Sequence, residues 1–166
     1  MKEWGAIEDT SEVKARRSYF WVLLLLLILF CLRVLGQILV AFFHVSFLPP
    51  MKEWYSGLMP YPELLPAQFL IILLFSRICL DFFRGQGYFV SSHPRLGKGL
   101  HWFGWIYFVS MIVRYILRMS LYPEARWFGG CIPIVFHCVL ASYLLTMSSY
   151  YRRSARQNGT ANSSSQ

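Results

Sequence analysis

Polar and apolar residues in this chain do not alternate; they segregate into long blocks. Four stretches are almost continuously apolar, at about 19–45, 63–83, 100–120 and 128–150. Each holds the roughly 20 mostly apolar residues that a helix needs to cross a bilayer. The pattern therefore predicts an all-α membrane protein, a four-helix transmembrane bundle. Helix-breaking residues lie between the blocks. Pro49, Pro50, Pro60 and Pro62 interrupt the first connection, and Gly85, Gly87, Pro94, Gly97 and Gly99 the second. Pro123 and the pair Gly129-Gly130 mark the third, which is short enough to make the last two helices a tight hairpin. The expected organisation is an N-terminal segment (1–18), the helical domain (19–150) and a polar, Ser- and Asn-rich tail (151–166) expected to be disordered.

Composition strengthens this picture. Hydrophobic residues make up 56% of the chain, against about 45–50% in soluble domains. The net charge of +8 would suit a nucleic-acid partner only if it formed a soluble basic face. Here the charges sit at block ends or inside the blocks, so that partner is excluded. Their distribution instead sets an orientation. Lys2, Lys14, Arg16 and Arg17, then Arg84, Arg95 and Lys98, then Arg152, Arg153 and Arg156 all fall on one side of the four-span arrangement. Only Lys52 and Arg126 fall on the other. Basic residues favour the cytoplasmic side, so both termini are expected there, N-in and C-in, in a bacterial inner (plasma) membrane. Trp21, Trp54, Tyr55, Tyr61, Tyr88, Trp102, Trp127, Tyr150 and Tyr151 fall near the expected interfaces, where aromatic belts form.

The first block also invites comparison with a signal peptide, since Lys14-Ala15-Arg16-Arg17 precedes an apolar run and Val34-x-Gly36 is a poor cleavage site. The apolar character resumes after Arg33 and reaches Phe47, longer than a signal's apolar core, so the block is read as a retained helix. Met-Lys-Glu-Trp occurs at 1–4 and again at 51–54, but the following residues differ and no repeat is inferred.

The charged residues inside the blocks carry the functional question. An arginine near a bilayer centre costs about 2.5–3.5 kcal/mol on insertion scales, so it needs a partner or a task. Helical spacing places Arg33, Gln37 and His44 on one stripe of the first helix, and Tyr107, Ser110, Arg114 and Arg118 on one stripe of the third. Gly130, His137, Ala141 and Ser148 share a face of the fourth, whose small residues allow close helix approach. Arg77 and Asp81, one turn apart on the second helix, are expected to form a structural ion pair. At 1.5 Å per residue, Arg33 falls near the midplane, Gln37 and Arg114 about 6–7 Å outward and His137 about 3 Å outward. These four make a candidate ligand site, a cationic cradle with no acidic residue at its own depth. Glu53, Glu63 and Glu124 lie at or above the outer interface. Two arginines with a histidine and a glutamine suit an oxyanion. The competing reading satisfies the arginines with backbone carbonyls, Gln37, water or Glu63.

Other chemistries find little support. Cys31, Cys79, Cys131 and Cys138 form no CxxC pair. No two histidines align across the bundle for bis-histidine haem. Clustered zinc ligands, glycine-rich phosphate loops, HExxH and GxSxG are absent from the sequence. The sequence therefore names no catalytic residue, no metal and no cofactor, and nothing marks the chain as an enzyme. The leading expectation is a small polytopic membrane protein that binds an anionic lipid or lipid-linked phosphate in the outer half of the bilayer. A quinone-binding subunit of a redox system and a structural accessory subunit, paired with another membrane subunit, are the alternatives. The topology makes the first test. Reporter fusions at Ser56 and Ser154 are expected to report opposite sides of the membrane, and finding both on one side would end the four-span model.

Overall fold

The computed structural model describes residues 3–43, 45, 47–50, 54, 61–91, 93–121 and 131–163, with the first helix's side chains described from Glu12 and the last helix's as far as Gln157. Four helices make up the described chain: α1 (Glu3–Phe43), α2 (Tyr61–Arg84), α3 (Pro94–Leu121) and α4 (Cys131–Ser163). All four are long and apolar enough to cross a membrane. The all-helical arrangement is compatible with a helical bundle.

The helices outrun the apolar blocks. With 41 residues, α1 is about 60 Å long, roughly twice a bilayer's hydrocarbon core. It runs back through the polar N-terminal segment, because Glu, Lys, Arg and Ala there are good helix formers with no Pro among them. α4 likewise continues to Ser163, into the segment 151–166 expected to be a disordered tail. Gly97 and Gly99, read as loop residues, lie inside α3. Pro66 sits within α2, one turn from its start, where the lost N–H bond affects only the first turn.

Three helices form the core. α1 packs against α2 and α4, and α3 against α4. Leu23 and Leu27 of α1, Phe75, Ile78, Cys79 and Phe82 of α2, and Tyr143, Met147 and Tyr151 of α4 make one buried cluster. Tyr143 is its wedge. Its ring stacks on Phe75 with centroids 3.6 Å apart. Its hydroxyl donates to the Phe75 carbonyl at 3.1 Å and lies 3.6 Å from the Cys79 sulfur. The phenol thus finds polar partners in an otherwise apolar layer, as a buried tyrosine must. All four cysteines are free thiols.

The α2–α3 connection is organised by Asp81. Its carboxylate pairs with Arg77 at 3.0 Å, but the two are unlike: the Arg77 side chain is 56% exposed and that of Asp81 2%. Asp81 also accepts the Phe89 N–H at 3.4 Å. Gly87 approaches it so closely that a Cβ would stand 2.4 Å from the carboxylate, and its φ of 126° is itself a glycine conformation. Tyr150 of α4 donates to the Val90 carbonyl at 3.0 Å, tying this connection to the core. Asp81 therefore holds a turn as well as an ion pair.

α3 is attached along one side only. Ser148 Oγ of α4 donates to the Gly97 carbonyl at 2.9 Å. A Cβ at Gly97 would lie 2.8 Å from Tyr151 Cβ, and one at Gly104 2.9 Å from Leu145 Cδ2. Glycines seven apart thus let the two backbones close. Trp102, Phe103, Trp105, Ile106, Val109 and Val113 remain exposed. On α4, Ala141 and Ser148 of the expected small-residue face are fully buried, while Gly130, like the whole third connection, lies outside the described residues.

The three α3 glycines separate by what an added methyl would meet. Gly99 would have nothing within 4 Å of an added Cβ, so Gly99→Ala should raise stability by about 0.5–1 kcal/mol through helix propensity. Gly104→Ala meets the flexible end of Leu145 and should be near neutral. Gly97→Ala meets the stem of Tyr151 and should cost about 1–3 kcal/mol. Thermal unfolding in detergent reads the order, and a Gly97→Ala as stable as Gly99→Ala would refute this α3–α4 contact.

Candidate functional site

Arg33 sits ten residues before the end of α1, on the face turned toward α2 and α4. Its side chain is buried, 8% exposed. One terminal nitrogen donates to Gln37 Oε1 at 2.9 Å, one turn along the same helix. The other donates to the backbone carbonyl of Trp54 at 3.3 Å. Gln68, in the second turn of α2, donates through Nε2 to the same Gln37 oxygen at 3.0 Å. Phe136 of α4 lies beneath the guanidinium, its ring centroid 5.7 Å from Arg33 Cζ, in cation–π range. Side chains from α1, α2 and α4 and a carbonyl from the first connection therefore meet at Arg33.

Trp54 covers this group. It was expected in an interfacial aromatic belt, but it is buried and its indole lies on Gly36. A Cβ there would fall 2.6 Å from the ring, so only glycine admits the indole between Arg33 and Gln37. The indole N–H donates to the Pro49 carbonyl at 2.9 Å, which anchors the connection locally. The physical reason for the burial is the arginine: Trp54 carries in the carbonyl that the guanidinium needs once water is excluded.

His137 and Arg114 form an adjacent second group. The His137 ring, half-buried on α4, shares a hydrogen bond through Nδ1 with the Tyr107 hydroxyl of α3, the rings 5.8 Å apart and nearly perpendicular. The positive charges of Arg33 and Arg114 both act on the His137 ring. Arg114 is half-buried on α3. Arg33 and Gln37 thus bond directly, whereas His137 bonds Tyr107 instead. Ser110 bonds its own helix at Tyr107. Among the described residues no carboxylate pairs with Arg33. Glu63 is exposed, and His44, Glu53 and Glu124 lie outside the described residues.

The hydrogen bonding is incomplete in a specific way. Among buried atoms, Arg33 Nε, Gln37 Nε2 and Gln68 Oε1 lack a partner in the protein. Gln37 and Gln68 are 0% and 3% exposed. Two N–H donors and one amide oxygen, converging beside a guanidinium, can hold an oxyanion or a carbonyl together with a hydroxyl. Among the described residues no group of three His, Cys, Asp or Glu side chains could hold a metal ion.

Gln68, Trp54, Tyr107 and Phe136 were not among the site residues read from the sequence. Gln68 had a signal: it is an uncharged amide within the apolar run Leu64–Phe75, close to the level of Gln37 in an antiparallel neighbour. Trp54 had none, since its position depends on the path of a connection. Comparison with protein-family models, with curated proteins and with solved structures finds no match.

The Gly36–Trp54 contact predicts a reversal of sign. Gly36→Ala should cost about 1–3 kcal/mol by forcing the indole off α1. In a Trp54→Ala background the same change should be neutral or favourable, because the obstacle is gone. Apparent melting temperatures of the four proteins decide it, and additive losses would refute the contact.

Proposed function

We propose that the protein crosses the membrane four times, with both termini cytoplasmic, and binds the anionic head group of a lipid or lipid-linked phosphate beside Arg33, Gln37, Arg114 and His137. Four apolar helices support the spanning. So do the large exposed apolar faces of α3 and α1, which a protein in water would have to cover. The ten-to-two distribution of basic residues named above supports the orientation. A bacterial plasma membrane is the location that this reading takes.

One observation carries the choice of ligand. A buried guanidinium faces no carboxylate among the described residues, and its own Nε–H and the neighbouring Gln37 amide have no acceptor in the protein. Uncompensated buried charge costs several kcal/mol, and unpaired buried donors cost about 1–3 kcal/mol each. An anion removes both costs at once. Arg33 and Gln37 would donate to its oxygens, Arg114 and His137 would neutralise or extend them, and Gln68 Oε1 would accept from a protonated oxygen or a hydroxyl.

A quinone ring is the second reading, favoured by one feature: the Phe136 ring lies against the Arg33 guanidinium, and the Trp54 indole packs close by on Gly36. A purely structural role in a larger complex is the third. Native mass spectrometry separates them by the mass that co-purifies: an anionic lipid, a quinone, or neither. Arg33→Gln with Arg114→Gln should insert at least as well as the parent, since it lowers the insertion cost by up to about 5–7 kcal/mol over the two sites. The pair should lose one bound anionic lipid per chain. Unchanged lipid stoichiometry in that variant would overturn the proposal.

A further inference from the structure

A second basic feature lies at the opposite end of the α3–α4 hairpin. A cavity of about 450 Å³ opens between the start of α3 and the late turns of α4, lined by Pro94, Lys98, His101, Trp102, Arg152 and Arg156. Among the described residues no carboxylate lines it. A neighbouring recess of about 320 Å³ shares Arg152 and Arg156 and adds Arg153. The close approach at Gly97, whose carbonyl receives Ser148 Oγ, brings these basic residues of two helices together.

The geometry orients part of the cluster. Arg152 and His101 Nε2 are 3.0 Å apart. A guanidinium has no acceptor, so Arg152 donates and the His101 nitrogen accepts. That bond holds the guanidinium at the cavity with its other N–H groups available. The start of α3 adds the positive end of a helix dipole. Beside this polar mouth, Trp102 is 71% exposed, and Ile106, one turn further along the same face, is 65% exposed. A charged mouth continuing into an apolar strip along the helix is the profile of an amphiphile rather than of a free anion.

We propose that this groove is the headgroup site of an anionic phospholipid, with its phosphate held by Lys98, Arg152 and Arg156 and its chains lying along Trp102 and Ile106. The proposal rests on the membrane-spanning reading but not on the Arg33 site. The two sites lie at opposite ends of the hairpin and take lipid from opposite leaflets.

Native mass spectrometry of the full chain in mild detergent tests it, with phosphatidylglycerol, phosphatidylcholine and inorganic phosphate titrated separately. The parent should bind phosphatidylglycerol here at concentrations where phosphatidylcholine adds nothing. Lys98→Gln with Arg156→Gln, both at exposed positions, should weaken that adduct about tenfold or more. Single Lys98→Gln should act in the same direction, which keeps the test intact if the double variant folds poorly. Arg17→Gln, Arg84→Gln and Arg95→Gln together remove more charge outside the cavity and should leave the adduct unchanged. An equal loss in that control would mean diffuse attraction and overturn the site. So would equal binding of the two lipids, or displacement of the lipid by millimolar inorganic phosphate. Arg33→Gln with Arg114→Gln should keep this adduct and lose the other, so the two readings fail separately.

Discussion

A guanidinium taken out of water must be given acceptors by the protein, and at the Arg33 end of the molecule the packing follows from that requirement. Gln37, one turn on, supplies one carbonyl oxygen, and Gln68 of α2 binds the same atom. Trp54 supplies a second acceptor from its backbone, and reaches it only because Gly36 leaves room for the indole. Phe136 supplies the face of a ring. Each contact is modest alone, about 1–3 kcal/mol for a bond to a charged group. They share atoms, however, so removing one strands the rest. α1, α2, α4 and the first connection are joined around one cation.

Balanced against it, near the other end of α2, is a buried anion. Asp81 answers an exposed Arg77 and also the Phe89 N–H, and it lies directly against Gly87. Between these two charged levels the Tyr143 wedge and its aromatic neighbours fill the α1–α2–α4 core. α3 takes little part in this core. It rests on α4 through Gly97 and Gly104, and it meets the Arg33 level through the Tyr107–His137 bond. This leaves most of its apolar surface exposed, and it puts the hairpin's two ends at two different basic groups.

The two sites differ in physical kind. At Arg33 the donors are buried and few, under an aromatic cover. At Lys98, Arg152 and Arg156 the donors are exposed and many, beside an apolar strip. Both sites are cationic, and among the described residues neither is lined by a carboxylate.

Continuous apolar blocks determined by themselves that the chain makes four long helices, because spanning length and composition are local properties. Local spacing likewise brought Arg33 to Gln37 and Arg77 to Asp81, since residues four apart share a helix face. Helix ends were less legible: α1 runs back to Glu3 and α4 on to Ser163, where composition had suggested a polar segment and a disordered tail. Only the tertiary structure decided that Trp54 turns inward, that Gln68 shares the Gln37 oxygen, and that Gly97 is a contact residue rather than a breaker. It also split the four expected site residues into a bonded pair and an outer pair. The reason is that partners across helices depend on rotation and depth together. A helix rotates by 100° per residue, and no pattern within one helix records which neighbour its polar stripe will meet.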